Sequence, residues 1–216
     1  MDEALRVREF WFSKAWTGPL PTLGDGATRG HALARRALLW FGSDSPAMQQ
    51  RDELIRSAFS DLLERAVQGE LAGWADSPRR RLSLIILLDQ FPRQMFRGTP
   101  RAFEYDAQAL GLTLSGMQSA ADAALNVVER IFFYMPLQHA EATEVQDESV
   151  AAFTRLVGEA PIELRATFEE ALESATAHRE LIRRFGRFPH RNAILGRAGT
   201  PEERAWQQEN PSSFGQ

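Results

Sequence analysis

The residues of this chain able to do chemistry beyond building helices gather in three segments. The first, Asp-Gln-Phe-Pro-Arg-Gln-Met-Phe-Arg-Gly (89–98), holds Asp89, Arg93 and Arg97. The second, Phe-Phe-Tyr-Met-Pro-Leu-Gln-His-Ala-Glu (132–141), ends on His139 and Glu141. The third, Arg-Phe-Gly-Arg-Phe-Pro-His-Arg-Asn (184–192), holds Arg187, His190, Arg191 and Asn192 and runs on to Arg197. The first and third share a Phe-Pro pair followed by a basic residue. Aromatic side chains pin such a loop to a core and proline fixes its direction, so the arginines are held rather than waving in solvent. Preorganised guanidinium groups bind carboxylate or phosphate bidentately. On this reading Asp89, Arg93, Arg97, Arg187, His190, Arg191, Asn192 and Arg197 line one pocket for an anionic group, on a small molecule or an acidic peptide.

The histidines open a second reading. His139 or His178 would serve as a general base, oriented by Glu141 or Asp89, with the arginines holding an anionic substrate. His139 and Glu141 stand two apart, which is not the His-Glu-x-x-His spacing of a zinc helix. No metal and no cofactor is expected. Gly-x-x-x-x-Gly-Lys-Ser/Thr, Gly-x-Gly-x-x-Gly and Gly-x-Ser-x-Gly are all absent, which leaves P-loop, dinucleotide and serine-hydrolase chemistry without support. His31 lies beside a loop and carries no role. A third reading keeps the motifs structural, with the arginines paired to internal acids such as Asp89, Asp106 or Glu129 and the aromatic-proline corners holding helices in register.

The elements that must position these residues are helical. Strand alternation and hairpin turns are missing, while Ser45-Pro46, Ser77-Pro78, Thr99-Pro100 and Thr200-Pro201 each place a hydroxyl before a proline, the signature of a helix start. Thr200 and Glu203 add a capping-box pattern. The apolar period predicts helices over 46–68, 78–90, 100–114, 119–134, 141–157 and 161–185, with shorter ones over 5–12, 32–41 and 201–208. Leu54, Ala58, Phe59, Leu62, Leu63 and Ala66 make the apolar stripe of the first. The segment 82–88 is apolar nearly all round, so its helix is expected to be central and buried. Connections are short, which predicts antiparallel neighbours. The expected architecture is all-α, a stack of antiparallel helical hairpins in a single domain over 1–209, with a loop over 13–30 and a frayed tail over 210–216.

Bulk properties bound the function. The 216 residues are 44% hydrophobic and 25% charged, a globular balance. The net charge of −4 gives no global attraction to nucleic acid. Cysteine is absent, which excludes disulfides and thiol chemistry. The longest apolar run, 84–88, is far below the ~20 residues that span a bilayer, and the first residues lack the basic and apolar regions of a signal peptide. A cytoplasmic protein is expected, with neither nucleic acid nor membrane as partner. Charge is uneven: 179–197 carries six arginines and one acid. Lys14 is the one lysine among 25 basic residues, so nearly every cation is a planar, permanently charged fork.

Taken together the motifs resemble those of a known bacterial family, the domain of unknown function 924 family. The likeness rests on Leu-Asp-Gln-Phe-Pro-Arg (88–93), Phe-x-Tyr-Met-Pro-Leu (132–137) and Phe-Gly-Arg-Phe-Pro-His-Arg-Asn (185–192), in the family's order. Lesser matches include Phe10-Trp11-Phe12, Trp40-Phe41, Trp74, Arg97-Gly98, Ala102-Phe103, Asp106, Glu129-Arg130, Gly196-Arg197 and the closing Thr200-Pro201-Glu202-Glu203. The resemblance implies a right-handed, tetratricopeptide-like helical array, although no tandem repeat is visible in the sequence. The segment 13–39 is longer than the family pattern. Where the family usually reads His-Ser-Glu, this chain has His139-Ala140-Glu141, which argues against a serine nucleophile there. The family brings no substrate with it, and a fold alone does not supply one.

Overall fold

The computed structural model describes residues 2–17, 30, 32, 33, 40 and 46–210. Among them every regular element is helical. In chain order these are α1 (Glu3–Phe12), a 3-10 turn (Lys14–Trp16), α2 (Pro46–Val67), a 3-10 turn (Ala72–Asp76) and α3 (Pro78–Ile85). A π turn (Ile86–Gln90), α4 (Phe91–Met95) and a 3-10 turn (Pro100–Phe103) follow, then α5 (Asp106–Gln118) and a 3-10 turn (Ala121–Ala124). The chain closes with α6 (Val127–His139), α7 (Thr143–Glu159), α8 (Arg165–Phe185), a 3-10 turn (Pro189–Arg191) and α9 (Pro201–Glu209). Helices α6, α7 and α8 are joined by short connections and pack on one another, so they run antiparallel. The expected Ser45 cap, His31, most of the 32–41 helix, residues 18–29 of the expected 13–30 loop and residues 211–216 of the expected 210–216 tail lie outside the described residues. None of the described helices is long and apolar enough to cross a membrane.

The segment from α3 to α4 is the buried centre. Leu82, Ile85, Ile86, Leu87 and Phe91 have no exposed surface. Phe91 leads into an aromatic cluster: Phe59 lies 4.8 Å from it and Trp11 5.8 Å, centroid to centroid. Trp11 in turn meets Phe132 at 5.3 Å. Aromatic contacts of this kind add to the burial of their large apolar areas. They fix α4 and α6 to the same core, which sets the distance between the first two chemical segments.

Several helix ends differ from the sequence expectation. The buried stripe of α2 runs through Ile55, Phe59, Leu62, Leu63 and Ala66, while Ala58 is exposed and Leu54 is 53% exposed. The predicted 119–134 helix starts late, at an Asn126 cap, and runs on to His139. Asn126 Oδ1 accepts from the Val128 and Glu129 amides, and Glu129 returns the bond to the Asn126 amide at 3.0 Å. This capping box outcompetes the apolar period upstream. Helix α6 also tolerates Pro136 in its interior. Proline opens the turn before it, and the Thr113 hydroxyl from α5 donates to the Phe133 carbonyl at 2.9 Å. Thr200 and Glu203 form the expected capping box. Ser77 and Thr99 precede their prolines without a side-chain cap; the Thr99 hydroxyl turns back to the Phe96 carbonyl.

The two glycines of α5 test how closely the helices meet. A Cβ on Gly116 would lie 2.5 Å from Phe133 Cζ and 2.8 Å from Arg81 Cδ, whereas one on Gly111 would meet nothing within 4 Å. Gly116→Ala is therefore expected to destabilise by about 1–3 kcal/mol through overpacking. Gly111→Ala should stabilise by up to about 1 kcal/mol through helix propensity. Urea melts of the two variants are expected to shift in opposite directions.

Candidate functional site

Asp89 reaches its place because of a proline three residues on. Pro92 has no N–H to give the Leu88 carbonyl, and its ring would crowd that carbonyl in a regular α-helix. The chain does not stop there. It opens one wider turn, in which the Phe91 amide bonds back to the Ile86 carbonyl. Such π turns insert a residue and re-aim the side chains around them. Here the turn carries Asp89 and Gln90 inward, and Asp89 has no exposed surface at all.

A carboxylate so buried must be met by donors. Gln90 Nε2 donates to Oδ2 at 2.5 Å, and His139 Nδ1 donates to Oδ1 at 2.7 Å. Arg93 Nη1 lies 3.3 Å from Oδ1 and donates to the Asp89 carbonyl at 2.6 Å. Burial alone would raise the Asp89 carboxyl, but Arg93 and His139 hold it well below the usual carboxylate range. An ionised carboxylate only accepts, so Nδ1 of His139 carries the proton and Nε2 carries the lone pair. Burial, with the Arg93 charge, pushes His139 below its ordinary pKa, against the pull of Asp89. The ring is neutral at pH 7.

His139 is the last residue of α6, and that end is held from α7. Gln146 Nε2 lies within hydrogen-bond reach of the Leu137, Gln138 and Ala140 carbonyls, at 3.2, 2.7 and 2.8 Å. One buried amide thus closes the helix end that carries the imidazole. The His178 ring of α8 stands 6.5 Å from that of His139, centroid to centroid. Its Nδ1 donates to the Ser174 carbonyl at 2.8 Å.

The third segment folds over this pair. Helix α8 ends at Gly186, whose φ of 69° is the left-handed cap that favours glycine. The chain then turns toward Glu141, which accepts from the Phe188 amide at 2.8 Å and from Arg197 at 2.7 and 3.0 Å. Arg197 also donates to the Phe188 carbonyl. These bonds clamp the 186–197 loop to the end of α6. They place Phe188 5.4 Å from the His178 ring and 5.4 Å from that of His190.

Arg191 is the least engaged cation of the cluster. It is 6% exposed. Its guanidinium carbon lies between two rings, 4.6 Å from the Phe103 centroid and 4.7 Å from that of Phe188. Among the described residues its one hydrogen bond runs from Nη1 to Asp106 Oδ2 at 3.3 Å. Asp106 is already gripped through both oxygens by Arg93, at 2.8 and 2.9 Å. Among the described residues the buried Arg191 Nε has no hydrogen-bond partner, as is also true of Arg93 Nε and Arg197 Nε, but those two guanidinium groups use both of their other nitrogens and Arg191 uses one. Burial and the neighbouring Arg93 charge lower its pKa to about 10, so it stays a cation.

The structure thus brings Asp89, Arg93, His139, Glu141, His178, His190, Arg191 and Arg197 into one cluster. Asn192 is buried beside it, next to Glu203. Two predicted residues face elsewhere. Arg97 donates to Asp52 of α2 at 3.1 Å, and Arg187 pairs with Glu203 of α9 at 2.6 and 2.8 Å. Among the described residues no group of three or more His, Asp or Glu is arranged to hold a metal ion. The sequence reading missed the Phe103–Phe188 slot and the Gln146 clamp. Phe103 had shown only as a lesser family match, Asp106 also as one of the internal acids able to pair with the arginines, and nothing in spacing marks Gln146.

A family model described as a bacterial protein of unknown function (DUF924) matches residues 7–210. A solved structure of a protein of unknown function from Agrobacterium tumefaciens has a TM-score of 0.69 and 33% identity, and the match covers 86% of this chain and 100% of that one. No curated protein matches the chain.

Stability should fall on mild acidification. Burial, partly offset by the Ser174 carbonyl, takes His178 down to about 3, and burial with Arg191 takes His190 down to about 4. Both lie below the unfolded value of about 6.5. The unfolded chain therefore takes up protons first as pH drops below that value. The histidine contribution is complete above about 6.5 and shrinks as pH falls toward 4 and then 3. Each histidine adds a slope approaching about 1.4 kcal/mol per pH unit. The depressed carboxylates Asp89, Glu141 and Glu203 lose their contribution at lower pH, in the carboxylate range, so the window from 6.5 to 5 belongs to the histidines. Urea melts across that window should show the slope in the wild type and a shallower one in His178→Asn. A flat profile would contradict the neutral, buried histidines.

Proposed function

The chain belongs to the bacterial DUF924 family, and we propose that it binds a small anionic molecule whose carboxylate or phosphate group sits on Arg191. The observation that carries this reading is the state of that guanidinium. A buried cation normally has its donors satisfied and its charge matched. Arg191 has one long bond to an aspartate that already serves Arg93, and its Nε is unpaired. The two flanking rings steady its charge without using its donors. An incoming anion supplies what is missing. The side chains of Asp106, His139 and Glu141 keep partial exposure, and in this proposal the anion enters past them. An anchor this deep suits a small molecule better than a folded surface.

The other arginines support a structural role. Arg93, Arg97, Arg187 and Arg197 each have a carboxylate of the chain within 3.1 Å, closer than the 3.3 Å between Arg191 and Asp106. Breaking such pairs is costly even where forming them gains little. In this proposal they form the frame, and Arg191 is the contact.

Thermal unfolding against inorganic phosphate, sulfate and a set of small mono- and dicarboxylic acids tests it. A ligand at 100 times its Kd adds about 2.7 kcal/mol, or roughly 5–10 °C for a domain of this size. The shift is expected with one class of anion, lost in Arg191→Gln and kept in Arg97→Gln. A shift equal in wild type and Arg191→Gln would be the general salt effect on burial. That result, or no shift at all, would leave the structural role alone standing.

A further inference from the structure

Binding an anion needs the arginine; it does not need the His139–Asp89 pair. We propose that His139 is a general base at this site, removing a proton from the carbon beside the keto group of a small 2-oxo carboxylic acid held by Arg191. The inference rests on the binding reading and extends it to a reaction class.

The geometry is that of an oriented imidazole. Asp89 fixes Nδ1 as the protonated nitrogen, from 2.7 Å and with no exposed surface of its own. Nε2 points the lone pair away from the carboxylate and has no hydrogen bond to a described residue. The side chain keeps 13% exposure, so a small molecule can reach it. Gln146 locks the helix end behind the ring. The two ring nitrogens are treated differently. Here one is held rigid and the other left available, which is the arrangement a base requires.

The surroundings narrow the chemistry. The chain has no cysteine, and among the described residues no serine or threonine hydroxyl bonds to His139, so the ring has no thiol or hydroxyl nucleophile to activate. The described residues offer no metal-binding group. A base joined to a cation through one network, His139 to Asp89, Arg93, Asp106 and Arg191, does suit carbon-acid chemistry. The C–H bond breaks and its proton goes to Nε2. Its electron pair moves into the carbonyl, giving an enolate, and Arg191 stabilises the added negative charge. Asp89 stabilises the imidazolium that forms. Returning the proton regenerates the ketone and the neutral ring, so no oxidant or co-reactant is consumed. Asp89 is a positioning residue in this scheme.

The test uses the full chain with pyruvate and 2-oxoglutarate in D2O, following loss of the C3 proton signals by NMR. The wild type is expected to exchange these protons at least about 100-fold faster than buffer, the usual contribution of one positioned base. His139→Gln should return the rate to that of buffer while still showing the thermal shift with the same oxo acid. Asp89→Asn should also slow exchange. Its separate readout is 15N NMR of the His139 ring, in which Nε2 is expected unprotonated at pH 7 in the wild type and the tautomer lost in the variant. Binding that depends on Arg191 without exchange would overturn the base and leave the binding site. Exchange that survives in His139→Gln would overturn it too. So would hydrolysis of mono-p-nitrophenyl succinate in place of exchange, because that result assigns the base to water. Absence of both binding and exchange would remove both readings.

Discussion

The fully buried Asp89 carboxylate is the constraint around which the rest is arranged. An ionised group with no water contact is stable only if the fold surrounds it with donors. Gln90 comes from its own turn, Arg93 from the next turn of the same helix and His139 from α6. Two segments distant in sequence are therefore bound at one point. The π turn that presents Asp89 follows from Pro92, so a local backbone property decides where the electrostatic centre lies.

A second tier of ion pairs brings in the third segment. Glu141 lies two residues beyond His139 and accepts from the Phe188 amide and from Arg197. Arg93 hands the network to Asp106, and Asp106 hands it to Arg191. The aromatic groups act in the same direction. Phe91 and Phe132 tie the first two segments to the core, while Phe103 and Phe188 enclose the Arg191 guanidinium. Charge and apolar packing thus serve one geometry, in which Arg93 and Arg197 grip carboxylates through two nitrogens and Arg191 through one.

Much of the fold was legible in the sequence because helices are local. The apolar run over 82–88 marked a buried helix, and the core runs through it. Thr200 with Glu203 marked a helix start, and the capping box is formed. Legibility failed where two local signals competed. The period over 119–134 hid the Asn126 cap, and the helices predicted over 119–134 and 78–90 ended ahead of Pro136 and Pro92, although the chain stays helical through both prolines. Leu54 fitted an apolar stripe that lies turned away from the core.

The sequence by itself determined that the chain is helical and that its arginines, histidines and aromatics cluster around three proline-containing corners. Periodicity, caps and proline geometry act over a few residues, so one strand of text carries them. Only the tertiary structure decided which acid meets which base. Both Asp89 and Glu141 stood as partners for a histidine. The packing of α4 against α6 assigned Asp89 to His139, and the loop after α8 assigned Glu141 to Arg197. Likewise nothing in the spacing of Arg93 and Arg191 says that one aspartate serves both, gripping the first through both oxygens and the second through one long bond. Such pairings depend on angstrom-scale distances between distant segments, and those distances are set by how the cores of the helices pack.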